Sequence, residues 1–314
     1  MENVRELGED VRELAARAQA HDGVAPLNEE AWLALESGGQ GEARHFAHRE
    51  EGRLLGYLQW EPGAGTGQLV VDPEARRRGI GTSLVGELRE SVSRPSWVQL
   101  WAFGDLAAAR GFAVARGMVP VRELWMMELS RLAGESHGDG SFDLVSLNSH
   151  VERAGQTNRP QSCSPITIRS FQEGDIPALL EANAAAFAHH PEQGALDRAG
   201  LEARMAEPWF DPEGLLLAVD ADGLAGFHWT KRRDATTGEV YVLGVAPRAQ
   251  GHGLGRVLLD AGLAYLARSG CAKIVLYVDS GDVVAVTMYE TAGFTVAHRD
   301  VLYASRNTSR KEHR

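Results

Sequence analysis

The chain has 314 residues, 44% of them hydrophobic, and a formal net charge of −11 at pH 7, which suits two domains with modest cores. The acidic balance excludes a nucleic-acid partner, since binding a phosphate backbone needs a basic face, and it leaves a neutral or cationic small molecule as the expected substrate. No apolar run approaches the ~18 residues of a membrane span. Residues 1–15 are charged and lack the apolar core of a signal peptide, and Cys163 and Cys271 form neither a disulfide framework nor a C-x-x-C metal site. A cytoplasmic, monomeric protein without a metal is therefore expected.

In chain order, Val4, Leu7, Val11, Leu14 and Ala15 recur at helical spacing and predict an amphipathic helix over 4–20. A second helix is expected over 29–35, strands over 45–48, 54–60 and 68–71, a helix over 82–90, a strand over 98–101, a helix over 106–116 and a strand over 121–129. Residues 131–165 are rich in Ser, Gly, Asn, Asp and His with little periodicity; they divide the chain into a first domain of 1–132, a linker of 133–165 and a second domain of 166–314. The second domain repeats the order: strand 166–169, helix 175–186, loop 189–194, helix 201–205, strands 215–219 and 223–229, hairpin 232–238, strand 239–245, helix 254–269, strand 273–278, helix 283–291 and strand 295–304. A polar tail, 305–314, follows. Both halves read as α/β (α+β) units with a mixed, mostly antiparallel sheet and a crossover helix.

Within this repeat one motif occurs twice, 174 positions apart: Arg76-Arg77-Arg78-Gly79-Ile80-Gly81 and Gln250-Gly251-His252-Gly253-Leu254-Gly255. Each follows an apolar strand and a turn with proline, Pro73 or Pro247, and opens an apolar helix. A helix N-terminus presents unpaired N–H donors and the positive end of the helix dipole, so such a turn is suited to a pyrophosphate. Alternate glycines let the ligand approach the main chain, and Arg77, Arg78, His252 and Arg256 add positive charge. Neither copy is a G-x-x-x-x-G-K-[ST] loop or a dinucleotide fingerprint with its acidic residue.

The spacing [QR]-x-x-G-x-[GA] resembles the acyl-CoA loop of the GNAT superfamily of N-acyltransferases, once in each half. The resemblance extends over the second half through His189-His190-Pro191-Glu192-Gln193-Gly194, Gly226 to Lys231, Glu239 to Val245 and Leu276-Tyr277-Val278-Asp279; in the first half it rests on Leu69 to Pro73 and Arg76 to Gly81. It implies two tandem GNAT domains and acetyl-CoA as cosubstrate, up to two per chain. The implied acceptor is the cysteinyl amine of cysteinyl-glucosaminyl-inositol. The first acetyl-CoA site would comprise Leu69, Val70, Val71, Arg77, Arg78, Gly79, Ile80, Gly81 and Thr82. The second would comprise Leu243, Gly244, Val245 and Gln250, Gly251, His252, Gly253, Leu254, Gly255 and Arg256. Asp282, Val283, Val284, Ala285, Val286 and Thr287 would complete it.

Acyl transfer to an ammonium needs a group to take the proton, a donor for the oxyanion and an acid for the departing thiolate. Glu239 is the implied base, directly or through a water; on chemistry alone a glutamate at a strand start is a solvated carboxylate. Tyr289 occupies the family's thiol-protonating position, with an aromatic packed under the sheet as the alternative. The N–H of Val245 or of a neighbour is a candidate oxyanion donor. Substrate contacts implied by the resemblance are Glu29, Glu181, Lys231, Glu239 and Tyr277, with Glu30 a direct competitor for Glu29. Sliding the halves by 174 sets Gly65 opposite Glu239, and a short gap in the alignment sets Phe112 or Ala113 opposite Tyr289, so the first domain is expected to bind acetyl-CoA without catalysing. Asp282 departs from the family's usual Asn: it keeps a cap and loses an amide donor. A tandem GNAT acting on another small amine, and a non-catalytic acyl-CoA-binding module, remain as alternatives.

Overall fold

The computed structural model describes residues 4–36, 42–92, 98–130, 166–188 and 193–305. The expected linker 133–165 and residues 189–192 of the expected loop lie outside the described residues, as does the tail from 306 onward. The chain divides into two compact units, one of 1–125, 279–282 and 298–314, the other of 126–278 and 283–297.

Unit 1 contains α1 (Val4–Asp22), α2 (Glu29–Glu36), β1 (Arg44–Glu50), β2 (Arg53–Glu61), β3 (Thr66–Val71), α3 (Ile80–Ser91), β4 (Gln99–Ala102), α4 (Ala107–Ala115), the first part of β5 (Met118–Ser130) and the end of β11 (Thr295–Ser305). β1, β2 and β3 are antiparallel neighbours, while β3 and β4 are parallel from Thr66 opposite Gln99 to Gln68 opposite Trp101. Ile80, Leu84, Val85 and Leu88 of α3 recur on one side of the helix and pack with Leu58, Trp60 and Leu100. Leu7, Val11, Leu14 and Ala18 of α1 do the same with Tyr57 and Val70.

Unit 2 contains the rest of β5, β6 (Thr167–Ser170), α5 (Ile176–Ala186), α6 (Arg198–Met205), β7 (Leu215–Asp220), β8 (Gly223–Arg232), β9 (Thr237–Val245), α7 (Leu254–Arg268), β10 (Lys273–Asp279) up to Val278, and α8 (Val283–Thr291). β6, β7, β8 and β9 are antiparallel neighbours. β9 and β10 are parallel from Thr237 opposite Lys273 to Val240 opposite Leu276. Ile176, Leu179 and Leu201 of α5 and α6 cover Phe227, Trp229 and Val242; α7 covers the other face of the sheet with Leu254 and Leu258 against Ala218 and Ala225. The mixed, mostly antiparallel sheet flanked by helices is the fold class read from the sequence.

Several boundaries differ from the expected ones. The division by sequence assigned all of 166–314 to one domain, whereas the end of β11 groups with unit 1 because it pairs with β4, Val301 opposite Ala102 through Ala304 opposite Gln99. Segment 279–282 does so because Arg122 Nε donates to Asp279 Oδ2 (2.7 Å) and Ser280 N donates to the Glu123 carbonyl (2.9 Å). Conversely, residues 126–130 belong to unit 2, where Glu128 pairs with Lys273 at 2.5 Å. α6 starts at Arg198 rather than 201, since the Asp197 side chain caps it by accepting from Gly200 N (2.8 Å).

Candidate active site

The two glycine turns are built alike. In unit 2, Gly253 caps α7 at φ +79° and Gly251 has φ +78°, backbone that a Cβ disfavours. A Cβ on either would meet nothing within 4 Å, so open space faces the turn. Arg256 N and Val257 N both donate to the Gly253 carbonyl (3.1 and 3.3 Å), which leaves the N–H groups of Gly253, Leu254 and Gly255 without an intrahelical acceptor. In unit 1, Gly79 caps α3 at φ +89°, and Arg77 takes the position of Gly251 with φ +65°. These open donor cradles fit a pyrophosphate.

Several polar and basic side chains at the turns are already engaged. Gln250 Nε2 donates to the Val245 carbonyl (3.0 Å) and Arg76 Nε to the Val71 carbonyl (3.2 Å), so both brace the turn against the strand before it. Arg76 is further held by Asp22 at 2.8 and 2.5 Å, which raises the guanidinium pKa and lowers that of Asp22. Arg78 pairs with Glu50 (2.8 Å) and Arg256 with Asp260 (2.9 Å), while His252 is exposed. Beside the unit 1 turn lies a cavity of about 560 Å³ lined by Leu69, Val71, Arg77, Gly81, Trp101 and Arg116, among others, a size typical of small-molecule sites. Arg116, which sequence reasoning missed, donates to Thr82 Oγ1 and lies over the Phe112 ring at 5.2 Å.

In unit 2 the β9–β10 ladder ends at Val240 and Leu276, although β9 continues to Val245 and β10 to Asp279. The strands part there, beside the glycine turn. A bulge lies at the opening: Trp229 faces Val242 but Thr230 faces Val240, leaving Tyr241 as the extra residue of β9. Strict alternation from Glu239 would have put Leu243 and Val245 on the Glu239 face; instead they pack with the α7 cluster, and Val242 joins the α5–α6 cluster.

Three of the expected substrate residues come together on this face. Lys231 lies directly opposite Glu239, and Glu239 is 7% exposed. Arg233 Nε is 3.3 Å from Glu239 Oε2, and its guanidinium lies over the Tyr277 ring at 5.8 Å. Arg233 thus links two residues of the expected set and was not itself in it. Its hairpin is fixed by Asp234, which accepts from Thr236 N and Thr237 N (both 2.8 Å), contacts that lower its carboxyl to about 2. Lys231 also lies over Trp209 and Tyr241, at 4.4 and 5.1 Å from the ring centres.

The other expected residues are placed elsewhere. Glu181 is exposed on α5, whose buried side carries Leu179, Ala182 and Asn183. Glu29 is half-buried and opens α2 in unit 1, with Glu30 exposed beside it. The end of the 189–194 loop is anchored: Asn183 Nδ2 donates to the Gln193 carbonyl (2.7 Å), Gln193 Nε2 donates to Asn183 Oδ1 (2.9 Å), and a Cβ on Gly194 would meet the Phe187 carbonyl. His228 faces away from the site. It is fully buried under α7, its Nδ1 donates to the Leu258 carbonyl (2.8 Å), and burial pushes its pKa down to about 4.

Tyr289 is buried on α8 with its ring edge-on to Phe294 at 5.8 Å. Val283 and Val284, at the start of α8, are 69% and 83% exposed. Asp282 N donates to the Asp279 carbonyl (3.0 Å), and Thr287 Oγ1 donates to the Val283 carbonyl (2.7 Å). Packing settles the gap that left Phe112 and Ala113 both open as the counterpart of Tyr289. A Cβ on Gly81 would lie 3.3 Å from the Phe112 ring, and one on Gly255 would lie 3.4 Å from Met288 Sδ. Phe112 therefore matches Met288, and Ala113 matches Tyr289. Gly65, opposite Glu239 by position, lies in the β2–β3 turn at φ +68°.

The acetyltransferase (GNAT) family matches residues 9–118 and 178–294 of this chain. A mycothiol acetyltransferase of Thermomonospora curvata is 43% identical over 306 residues, covering 93% of this chain and 91% of that protein. One of Catenulispora acidiphila is 40% identical over 316 residues, covering 93% of each. Among solved structures, a tandem GNAT protein from the clavulanic acid biosynthesis pathway superposes with a TM-score of 0.66 at 18% identity, covering 97% of this chain and 96% of that one, a likeness of fold. Two family matches in one chain, each spanning a glycine turn, and relatives aligned over nearly its whole length carry one conclusion: this chain belongs to the acetyltransferase (GNAT) family.

Proposed function

We propose that the chain transfers the acetyl group of acetyl-CoA to the cysteinyl amine of cysteinyl-glucosaminyl-inositol, the last step of mycothiol biosynthesis, in the cytoplasm. The observation that carries this reading is the Lys231–Glu239 pair, joined to Tyr277 through Arg233, at the place where β9 and β10 part beside a glycine turn. A carboxylate flanked by donors suits an acceptor with one ammonium and many hydroxyls. The names of the similar proteins support the same substrate.

Glu239 takes the proton that the ammonium releases, directly or through a water, and Arg233 yields or shares the carboxylate as the ammonium arrives. Lys231 and Tyr277 orient the acceptor, with Glu181 as a further contact to its hydroxyls. The new N–C bond forms as the thioester C–S bond breaks. The N–H at Val245 or beside it stabilises the oxyanion, and the Tyr289 hydroxyl returns a proton to the departing thiolate. Gly253, Leu254 and Gly255 hold the pyrophosphate through their N–H groups, and Val283 and Val284 offer an apolar edge to the pantetheine arm. Unit 1 holds a second acetyl-CoA in its cavity without turning it over, since Ala113 has no phenol and Gly65 no carboxylate.

The reading is tested by product mass after incubation with acetyl-CoA and cysteinyl-glucosaminyl-inositol. One acetyl added at the amine is expected. Absence of product, with acetyl-CoA binding intact, refutes the proposed acceptor, and product formed equally well from an unrelated polyamine would favour a different amine substrate.

A further inference from the structure

Lys231 is the one basic residue among the expected substrate contacts, and a lysine side chain on a strand is a loose group whose ordering opposes binding. Here it is seated. Its ammonium lies 4.4 Å from the centre of the Trp209 indole and 5.1 Å from the centre of the Tyr241 ring, both within the range of cation–π attraction. The rings are 5.0 Å apart at 61°, so they form a corner rather than a stack. Tyr241 enters that corner as the extra residue of the β9 bulge. Its hydroxyl accepts from Arg204 Nε at 3.0 Å, and Arg204 is in turn held by the Gly200 carbonyl at 3.0 Å. Trp229 backs both rings, 5.9 Å from Trp209 and 5.4 Å from Tyr241. Trp209 Nε1 is buried and has no hydrogen-bond partner among the described residues; the polar contact of this ring there is the face it offers to the ammonium.

We propose that Trp209 and Tyr241 are positioning residues. They form an aromatic seat that holds the Lys231 ammonium across the strand pair from Glu239, and thereby set the preference for a polyhydroxylated acceptor over a plain amine. The inference rests on the acetyl-transfer reading above. With Lys231 fixed in advance, the acceptor's oxygens meet an ordered donor, and its amine is delivered to the carboxylate opposite. A plain amine such as cysteinamide gains nothing from the seat, because it lacks the sugar and inositol hydroxyls that Lys231 would bind.

The test is steady-state kinetics on Trp209→Leu, Trp209→Phe, Lys231→Met and the Trp209→Leu/Lys231→Met double variant, with the glycosylated acceptor and with cysteinamide. Trp209→Leu is expected to raise the KM for the glycosylated acceptor about tenfold with kcat within about twofold, and to leave cysteinamide unaffected. Trp209→Phe keeps a ring face and is expected to retain most of the affinity, which also guards against a folding defect in the leucine variant. The double variant is expected to be no worse than Lys231→Met alone. Multiplying losses, or equal losses for both acceptors, would overturn the proposal. Reductive methylation of Lys231, followed by peptide mass spectrometry without any acceptor, reads the seat separately: labelling severalfold faster in Trp209→Leu supports it, and an unchanged rate overturns it. If wild type acetylates neither acceptor, the acetyl-transfer reading fails while the labelling result still decides whether the seat exists.

Discussion

The two glycine turns share almost every backbone feature and differ in what surrounds them. Gly79 and Gly253 cap their helices in the same left-handed conformation, and Arg76 and Gln250 brace the turns through the same carbonyl. Yet β3 has six residues and β9 has nine. The hairpin of unit 1 turns at Gly65, where unit 2 extends to place Glu239 opposite Lys231. On the following helix the buried site is Ala113 in one unit and Tyr289 in the other. The frame of the glycine turn is thus separable from Glu239 and Tyr289, the proposed proton-transfer groups, whose presence depends on strand length and on one helix position rather than on the turn.

The largest effect is expected from removing the carboxylate: Glu239→Gln should lower kcat by about 10²–10⁴ while acetyl-CoA still binds, and a fall in affinity alone would tie Glu239 to binding instead. The glycine turns sharpen the comparison next. Gly253→Val places a β-branched residue at φ +79° in front of the donors and should abolish saturation by acetyl-CoA in turnover. Gly79→Val should remove one bound equivalent and leave the turnover of unit 2 standing, as measured by equilibrium dialysis alongside kinetics.

A third effect is one of stability. His228 is neutral when buried, with its pKa near 4 against 6.5 in the unfolded chain. Its contribution is therefore complete above about pH 6.5 and is lost as the pH falls towards 4, because the unfolded chain then gains a proton that the folded chain refuses. The loss amounts to roughly 3 kcal/mol over that range. Urea midpoints between pH 7.5 and 5 should fall in wild type and lose that part of the slope in His228→Leu. Asp22, Asp72, Asp175 and Asp220, whose pKa values lie below the usual carboxylate value, act only at lower pH. The smallest effect is expected for Arg77→Gly. Relief of the left-handed backbone, ~1 kcal/mol, is offset by the greater unfolded-state entropy of glycine, so a near-zero change in urea midpoint is expected, and a large loss would show that the Arg77 side chain stabilises the turn.

The parts of this molecule legible in the sequence are those fixed by local chemistry. Glycines mark the turns because the backbone there has positive φ, and apolar spacing marks α1, α3 and α7 because one side of each is buried. Glu239 and Lys231 were named through their strings, while their pairing across the hairpin emerges from the strand register. What was not legible depends on long-range contact. Trp209 reaches Lys231 from the segment between α6 and β7, and Arg233 joins Glu239 to Tyr277 only because the hairpin folds back on itself. The β9 bulge exchanges Leu243 for Val242 on the site face, which alternation cannot foresee. The assignment of the β11 end to unit 1 likewise rests on pairing with a strand about 200 positions away.

The most direct test of a catalytic unit 2 beside a binding unit 1 is to measure, on one preparation of Glu239→Gln, both the acetyl-CoA equivalents bound per chain and the product formed from cysteinyl-glucosaminyl-inositol. The account predicts two equivalents bound and turnover reduced by at least about a hundredfold. Turnover near that of wild type, with the same two equivalents bound, would contradict it.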